Sequence, residues 1–248
     1  MSGAARVLRP EGRSRFLLIC DHASNYVPTE LNDLGLGSSD LGRHIAWDIG
    51  AAGVTEVLSE MLDATAVLSG ASRLVVDCNR HPDARELVPE MSDGTLIPGN
   101  VGLDDDARAL RIASWFAPYH DLVERMLEGR SSAVLVSVHT MTASLSARPG
   151  VRPQVALSSY EDRSLAEPML EFLRGPGDVT VGDNEPYDLD PAIDYSTPFH
   201  ALRRGLPHLQ VEFRQDEVGD TAGQRRWATR FAEGLRRLKL PCEASSSS

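Results

Sequence analysis

The sequence predicts an α/β fold: three layers, with a mainly parallel sheet covered by helices on both faces. Three observations carry that expectation. Short apolar runs suited to strands alternate with amphipathic helical segments along the chain. The runs at 16–20 and 133–138 are apolar throughout, as strands buried on both faces are. Both stop abruptly at polar clusters, Asp21-His22-Ala23-Ser24-Asn25 and His139-Thr140-Met141-Thr142. In open α/β sheets, ligands bind in the crevice beyond such carboxyl ends.

In order, residues 1–15 read as a flexible arm with arginines and no apolar core that would make a secretory signal. Residues 16–240 read as a single catalytic domain. The first strand is followed by a turn-rich segment, Thr29 to Asp40, expected to cover the site. Val54, Val57, Leu58, Met61 and Leu62 then share one helical face. Thr65 to Leu68 and Leu74 to Val76 are short β-rich runs. Asn79 to Asn100 holds three prolines and reads as a long loop. Asp104, Asp105 and Asp106 load a helix start, where the dipole favours anions. Ile112, Phe116, Tyr119, Val123 and Met126 form that helix's apolar face, and Pro118 should kink or divide it.

After the strand at 133–138 come a strand at Val155 to Leu157, a helix over Ala166 to Leu173 and a short strand near Val179 to Val181. Leu209 to Phe213 is the last strand. The closing helix starts near Thr221 and aligns Trp227, Phe231, Leu235 and Leu238. The Ser-rich tail, 241–248, reads as disordered.

Composition narrows the function. The net charge of −11 argues against nucleic acid as a partner, which needs a basic face. No apolar run is long enough to span a membrane. Three cysteines make neither a disulfide framework nor a CxxC site. Cys20 and Cys78 fall in apolar runs and read as buried strand thiols, which fits the cytoplasm. A monomer or a small homo-oligomer is expected.

Three predicted strands end in groups able to bind metal or move protons: His22, His139 and Glu212. Asp48 stands at a helix start between the first two. Two His and one carboxylate, with a position left for water, is a common catalytic zinc set. A separate carboxylate then handles the proton. The spacing is long-range, so only the sheet can bring these residues together. On the residues alone, a network of purely structural hydrogen bonds is the reading favoured over a zinc site.

Asp21 and Asp48 both remain open as the carboxylate ligand. Asp48 is preferred, because neighbours such as Asp21 and His22 point oppositely on an extended chain. An N-cap role for Asp48 is the competing reading. Arg73, Arg80, Arg148 and Arg214 lie by strand ends or loops and suit a bidentate grip on substrate carboxylates. Surface ion pairing is the alternative for each. Asn79 and Asn184 either orient substrate or complete turns. Of the other histidines, His200 is the best placed to reach a site.

Seven blocks are familiar in order: Cys20 to Asn25, His44 to Ala51, Ser72 to Arg80, Pro118-Tyr119-His120, Ser137 to Thr140, Gly182 to Tyr187 and Val211 to Asp216. From about residue 16 to 238 the chain resembles the N-formylglutamate amidohydrolase family. The resemblance implies a fold similar to zinc carboxypeptidases and N-acetylmuramoyl-L-alanine amidases. It implies a zinc-dependent enzyme acting on a small acidic N-acyl amino acid, converting N-formyl-L-glutamate to formate and glutamate in histidine breakdown. By that analogy His22, Asp48 and His139 hold zinc, and Glu212 is the general base. One departure is Thr140-Met141-Thr142-Ala143, where many relatives read Ser-Phe-Thr-Pro. A related amidohydrolase with another N-acyl or peptide-like substrate, or a non-catalytic binder of small anions, are the rival expectations.

Overall fold

The computed structural model describes residues 3–144 and 152–240; Arg148 and the tail 241–248 lie outside the described residues. In chain order the elements are β1 Ala5–Leu8, β2 Phe16–Cys20, α1 Ser38–Leu41, α2 Ala51–Leu62, β3 Thr65–Ser69, β4 Met91–Ser92 and β5 Thr95–Leu96. There follow α3 Asp105–Arg111, α4 Ala117–Leu127, β6 Val134–Met141, β7 Val155–Ser158, α5 Ala166–Arg174, β8 Val181–Asp183, α6 Ser196–His200, β9 His208–Arg214 and α7 Thr221–Arg237.

Seven strands form one mixed sheet in the order β1-β3-β2-β6-β9-β7-β8. The central strands β3, β2, β6 and β9 are parallel, whereas β1 joins β3 and β7 joins β9 antiparallel. β7 and β8 are parallel to each other. The expected mainly parallel α/β architecture is therefore present, with reversed strands outside a parallel centre. β4 and β5 make a separate small hairpin.

Strand alternation sorts the core into two layers. Phe16, Leu18 and Cys20 of β2, Val134, Val136 and Val138 of β6, and Leu209, Val211 and Phe213 of β9 face α2, α5 and α7. Leu17 and Ile19 of β2 and Leu135 of β6 face the other way, onto Tyr119, Val123 and Leu127 of α4. Central strands buried on both sides explain why their sequences are apolar throughout. Aromatic packing of Phe213 on Trp227 and Phe231 ties β9 to α7.

Two local expectations are corrected, and the division of the helix expected at Pro118 takes the form of a π turn. Residues 5–8, read as part of a flexible arm, form the edge strand β1, in register with Ala66 to Ser69. Leu74 to Val76 is a buried turn rather than a strand, so Cys78 is a buried thiol in a turn. Its carbonyls are satisfied by side chains: Asn100 Nδ2 donates to the Leu74 oxygen at 2.9 Å, and Arg111 Nη1 to the Val75 oxygen at 3.2 Å. The chain from Asp105 to Leu127 stays helical but passes through one π turn, Ile112–Phe116, just before Pro118. Pro118 has no N–H to give to the carbonyl four residues back, and the Ala117 amide bonds Ile112 instead. Among the described residues no helix is long and apolar enough to cross a membrane.

Candidate active site and metal centre

The alternation that builds the core also builds the site. On β2 and β6 the residues of the α4 side become polar at the carboxyl ends, and on β9 the row opposite Leu209, Val211 and Phe213 is polar throughout. Asp21 continues the Leu17 and Ile19 row, Ser137 and His139 continue that of Leu135, and Glu212 follows His208 and Gln210. His139 lies in register with Glu212 on the neighbouring strand. His22 is the next residue after Asp21, beyond the last strand residue. Its carbonyl accepts the Asp48 amide at 3.0 Å, which brings the approach to α2 against the end of β2.

Asp48 does not cap α2; the N-cap is Gly50, and no side chain bonds there. The Asp48 carboxylate turns inward instead. Its Oδ2 is 3.3 Å from His22 Nδ1 and 2.9 Å from His139 Nδ1. One ligand atom each from His22, Asp48 and His139 lies within 4.8 Å of the others, and all three residues are buried. The far nitrogens of both rings are held by acids. His22 Nε2 is 2.7 Å from Asp77 Oδ1. His139 Nε2 is 3.3 Å from Asp21 Oδ2 and 2.9 Å from Ser137 Oγ. With Nε2–H donating outward, each Nδ1 faces Asp48: protonated, it donates to the carboxylate, and once deprotonated it offers its lone pair to a cation.

Electrostatics agrees with that geometry. Burial alone would raise Asp48, but His22 and His139 hold its carboxyl well below the usual range. Burial also opposes ionisation of Asp21 and Asp77. His139 outweighs it at Asp21, and Arg73 with His22 outweighs it at Asp77. Against the same burial, hydrogen bonds to Asp21 and Asp48 raise His139 well above its usual value. His22 is also raised: burial and Arg73 push it down, and Asp77 with Asp48 prevail. Glu212 differs. Burial dominates there, and its carboxyl is pushed up to about 7.

The donor set fits a divalent ion of the zinc type: two imidazole nitrogens and one carboxylate oxygen, oriented by further carboxylates. The three buried acids Asp21, Asp48 and Asp77 have one guanidinium among them, Arg73, which pairs with Asp77 at 2.7 Å and Asp48 at 3.5 Å but not with Asp21. With neutral imidazoles that leaves a surplus of two negative charges, which one divalent cation matches.

A cavity of about 550 Å³ lies over the cluster, lined by His22, Asp48, His139, Glu212 and further polar groups. Arg73, Asn79 and Arg80, expected to bind substrate, line it as well. All three are also occupied within the protein. Arg73 pairs with Asp77 and Asp48, and Arg80 with Asp194 at 3.3 Å. Asn79 Oδ1 accepts the Tyr195 and Ser196 amides, and its Nδ2 donates to Asp194.

Arg214 and Asn184 are not among the cavity-lining residues. Arg214 pairs with Asp216 at 2.7 Å and bonds the Arg152 carbonyl at 2.8 Å. Asn184 has φ +51°, a conformation asparagine tolerates, and its amide brackets the Ser159 backbone at 2.9 and 3.0 Å. His200 is wholly buried between Glu124 and His120 and reaches no site.

Sequence reasoning passed over two residues here, Asp77 and Arg152. Asp77 ends the run Leu74-Val75-Val76, so the pattern of apolar run then polar group marked it. Arg152 carried no local signal.

A buried His-Asp-His group at the carboxyl ends of a parallel sheet centre, with a carboxyl of raised pKa in register and a cavity above, defines an α/β enzyme with a candidate metal centre. The chain belongs to the N-formylglutamate amidohydrolase family, whose model matches residues 14–218. That membership makes it an amidohydrolase by family. A gene product of Agrobacterium tumefaciens has a similar crystal structure, with 32% identity and a TM-score of 0.90, covering 95% of this chain and 94% of that one. The N-formylglutamate amidohydrolase from Ralstonia eutropha JMP134 shares the fold at 17% identity and a TM-score of 0.66, over 96% of this chain and 99% of that one. No curated protein matches the chain.

Proposed function

We propose that this protein is a zinc-dependent amidohydrolase that cleaves the amide of a small acidic N-acyl amino acid, N-formyl-L-glutamate first among them, giving formate and glutamate. The observation that carries this reading is the convergence of His22 Nδ1, His139 Nδ1 and Asp48 Oδ2 beside Glu212 on the cavity floor. A zinc ion held by those three residues would supply Lewis-acid polarisation of the amide carbonyl and acidify a water at neutral pH. Asp77 and Asp21 keep the two rings in the tautomer that leaves Nδ1 free. Glu212, pushed up to about 7, is poised to take a proton from the attacking water and return it to the leaving nitrogen. Family membership supports amide hydrolysis. The buried free thiols of Cys20 and Cys78 suit the cytoplasm, where formylglutamate from histidine breakdown would be met.

The test is metal analysis of the purified protein together with formate release from N-formyl-L-glutamate. His139→Ala should lose both the metal and the activity while keeping wild-type secondary structure. A zinc-loaded, fully active His139→Ala protein would sink the reading.

A further inference from the structure

Three arginines line the cavity: Arg73, Arg80 and Arg152. The first two already face carboxylates, as described above. Arg152 differs. It is 9% exposed, and among the described residues no acidic group lies within salt-bridge range of it. The neighbouring stretch 145–151, Leu-Ser-Ala-Arg-Pro-Gly-Val, contains no acid either. A largely buried guanidinium without a counter-charge is costly, and the cost is relieved when an anion arrives.

The surroundings of Arg152 fix its position without neutralising it. Its guanidinium lies over the Tyr187 ring, 4.9 Å from the centroid, a contact that holds an arginine's plane while leaving its N–H edge available. Its backbone is held at both ends. The amide donates to the Ala143 carbonyl at 3.1 Å, and the carbonyl accepts from Arg214 Nη1 at 2.8 Å. Arg214 is fixed in turn by Asp216 and Glu217. Thr142 Oγ1, 3.5 Å from Arg152 Nη1, is three residues beyond His139 on the same chain. Three residues span at most roughly 10 Å, so one small molecule can reach both the arginine and the His-Asp-His cluster.

We infer that Arg152 is the anchor for a substrate carboxylate and sets the enzyme's preference for N-acyl amino acids with a free acid over their carboxamides. This rests on the amidohydrolase reading above and deepens it. Guanidinium and carboxylate match bidentately, which a carboxamide cannot reproduce. Arg214 is then a positioning residue, acting through the Arg152 backbone.

The experiment measures formate release by the metal-loaded enzyme from N-formyl-L-glutamate, N-formyl-L-glutamine and N-formyl-L-isoglutamine. Wild type should prefer the diacid over at least one carboxamide by ~10- to 100-fold in kcat/KM, and Arg152→Gln should reduce that ratio toward unity. The carboxamide whose disadvantage disappears identifies the gripped carboxylate, side-chain or α. Arg152→Lys should keep part of the preference. Equal losses on all three substrates in Arg152→Gln would overturn the inference. So would a wild type indifferent to the carboxylates, a result that needs no variant to fold. If a metal-loaded wild type releases formate from none of them, the amidohydrolase reading has failed. Calorimetric binding of uncleaved N-formyl-L-glutamate to wild type and Arg152→Gln then decides on the anchor: tighter binding to wild type supports it, and equal binding refutes it.

Discussion

Glu212 is the residue on which register, burial and charge all act. The β6–β9 pairing places it beside His139, and burial pushes its carboxyl up to about 7. An acid raised in this way ionises near neutrality, and a cation bound nearby moves that ionisation lower. Activity should therefore rise with pH along a limb at or below about 7. Glu212→Gln should abolish the limb and slow kcat by ~10²- to 10⁴-fold with the metal retained, as read by a pH–rate profile and metal analysis. An unchanged rate would remove Glu212 from the chemistry. The residues legible in the sequence were those at strand ends, His22, His139 and Glu212, because an apolar run that stops at a polar group reports its own geometry. Arg214 shows the limit of that signal. It too ends a strand, but acids two and three residues on capture it. Asp77 carried the same signal of an apolar run ending in an acid, but its partner His22 is 55 residues away, and Arg152, placed by Tyr187 35 residues on, carried no local signal at all.

Among the elements, the start of α2 does the most to place the centre. Gly50 has φ +89°, and a Cβ there would collide with the Val218 carbonyl oxygen. This close approach holds the Asp48 loop against the turn between β9 and α7. Gly50→Ala should cost about 1–3 kcal/mol of stability and weaken metal binding by displacing Asp48, checked by denaturant unfolding and metal titration. Wild-type values for both would show that the approach is not needed. The helix itself was legible from its apolar face, and Asp48 was the preferred carboxylate ligand, although an aspartate before a helix reads equally well as a cap and only the fold decides between the two. Leu74 to Val76 misled for a related reason. Branched apolar residues favour strands, but side chains of Asn100 and Arg111 meet the carbonyls and a turn wins. β1 escaped notice because four residues on a sheet edge are too few for a period-two pattern to register.

At the scale of the molecule, the layered α/β architecture was the most legible feature, because alternating elements and doubly buried strands are properties of the whole chain. The same architecture concentrates charge at one point. Asp21, Asp48 and Asp77 are buried together at the sheet's carboxyl edge, and in the ion-free protein His22 and His139 gather protons to balance them. The sign of the pH dependence follows. Both histidines titrate above their unfolded value of 6.5, so their contribution to stability is complete below that pH and is lost as pH rises through the raised folded values. A divalent ion on both Nδ1 atoms does the same work without protons, so its benefit must grow with pH. At free zinc 100-fold above Kd the ion should add about 2.7 kcal/mol, which for a chain of this size moves Tm by roughly 5–10 °C. Thermal melts with and without chelator should thus diverge more at about pH 8.5 than at about pH 6. A gap that narrows with rising pH would mean that the two imidazoles do not share an ion, and the cluster would then be a structural network of buried ion pairs.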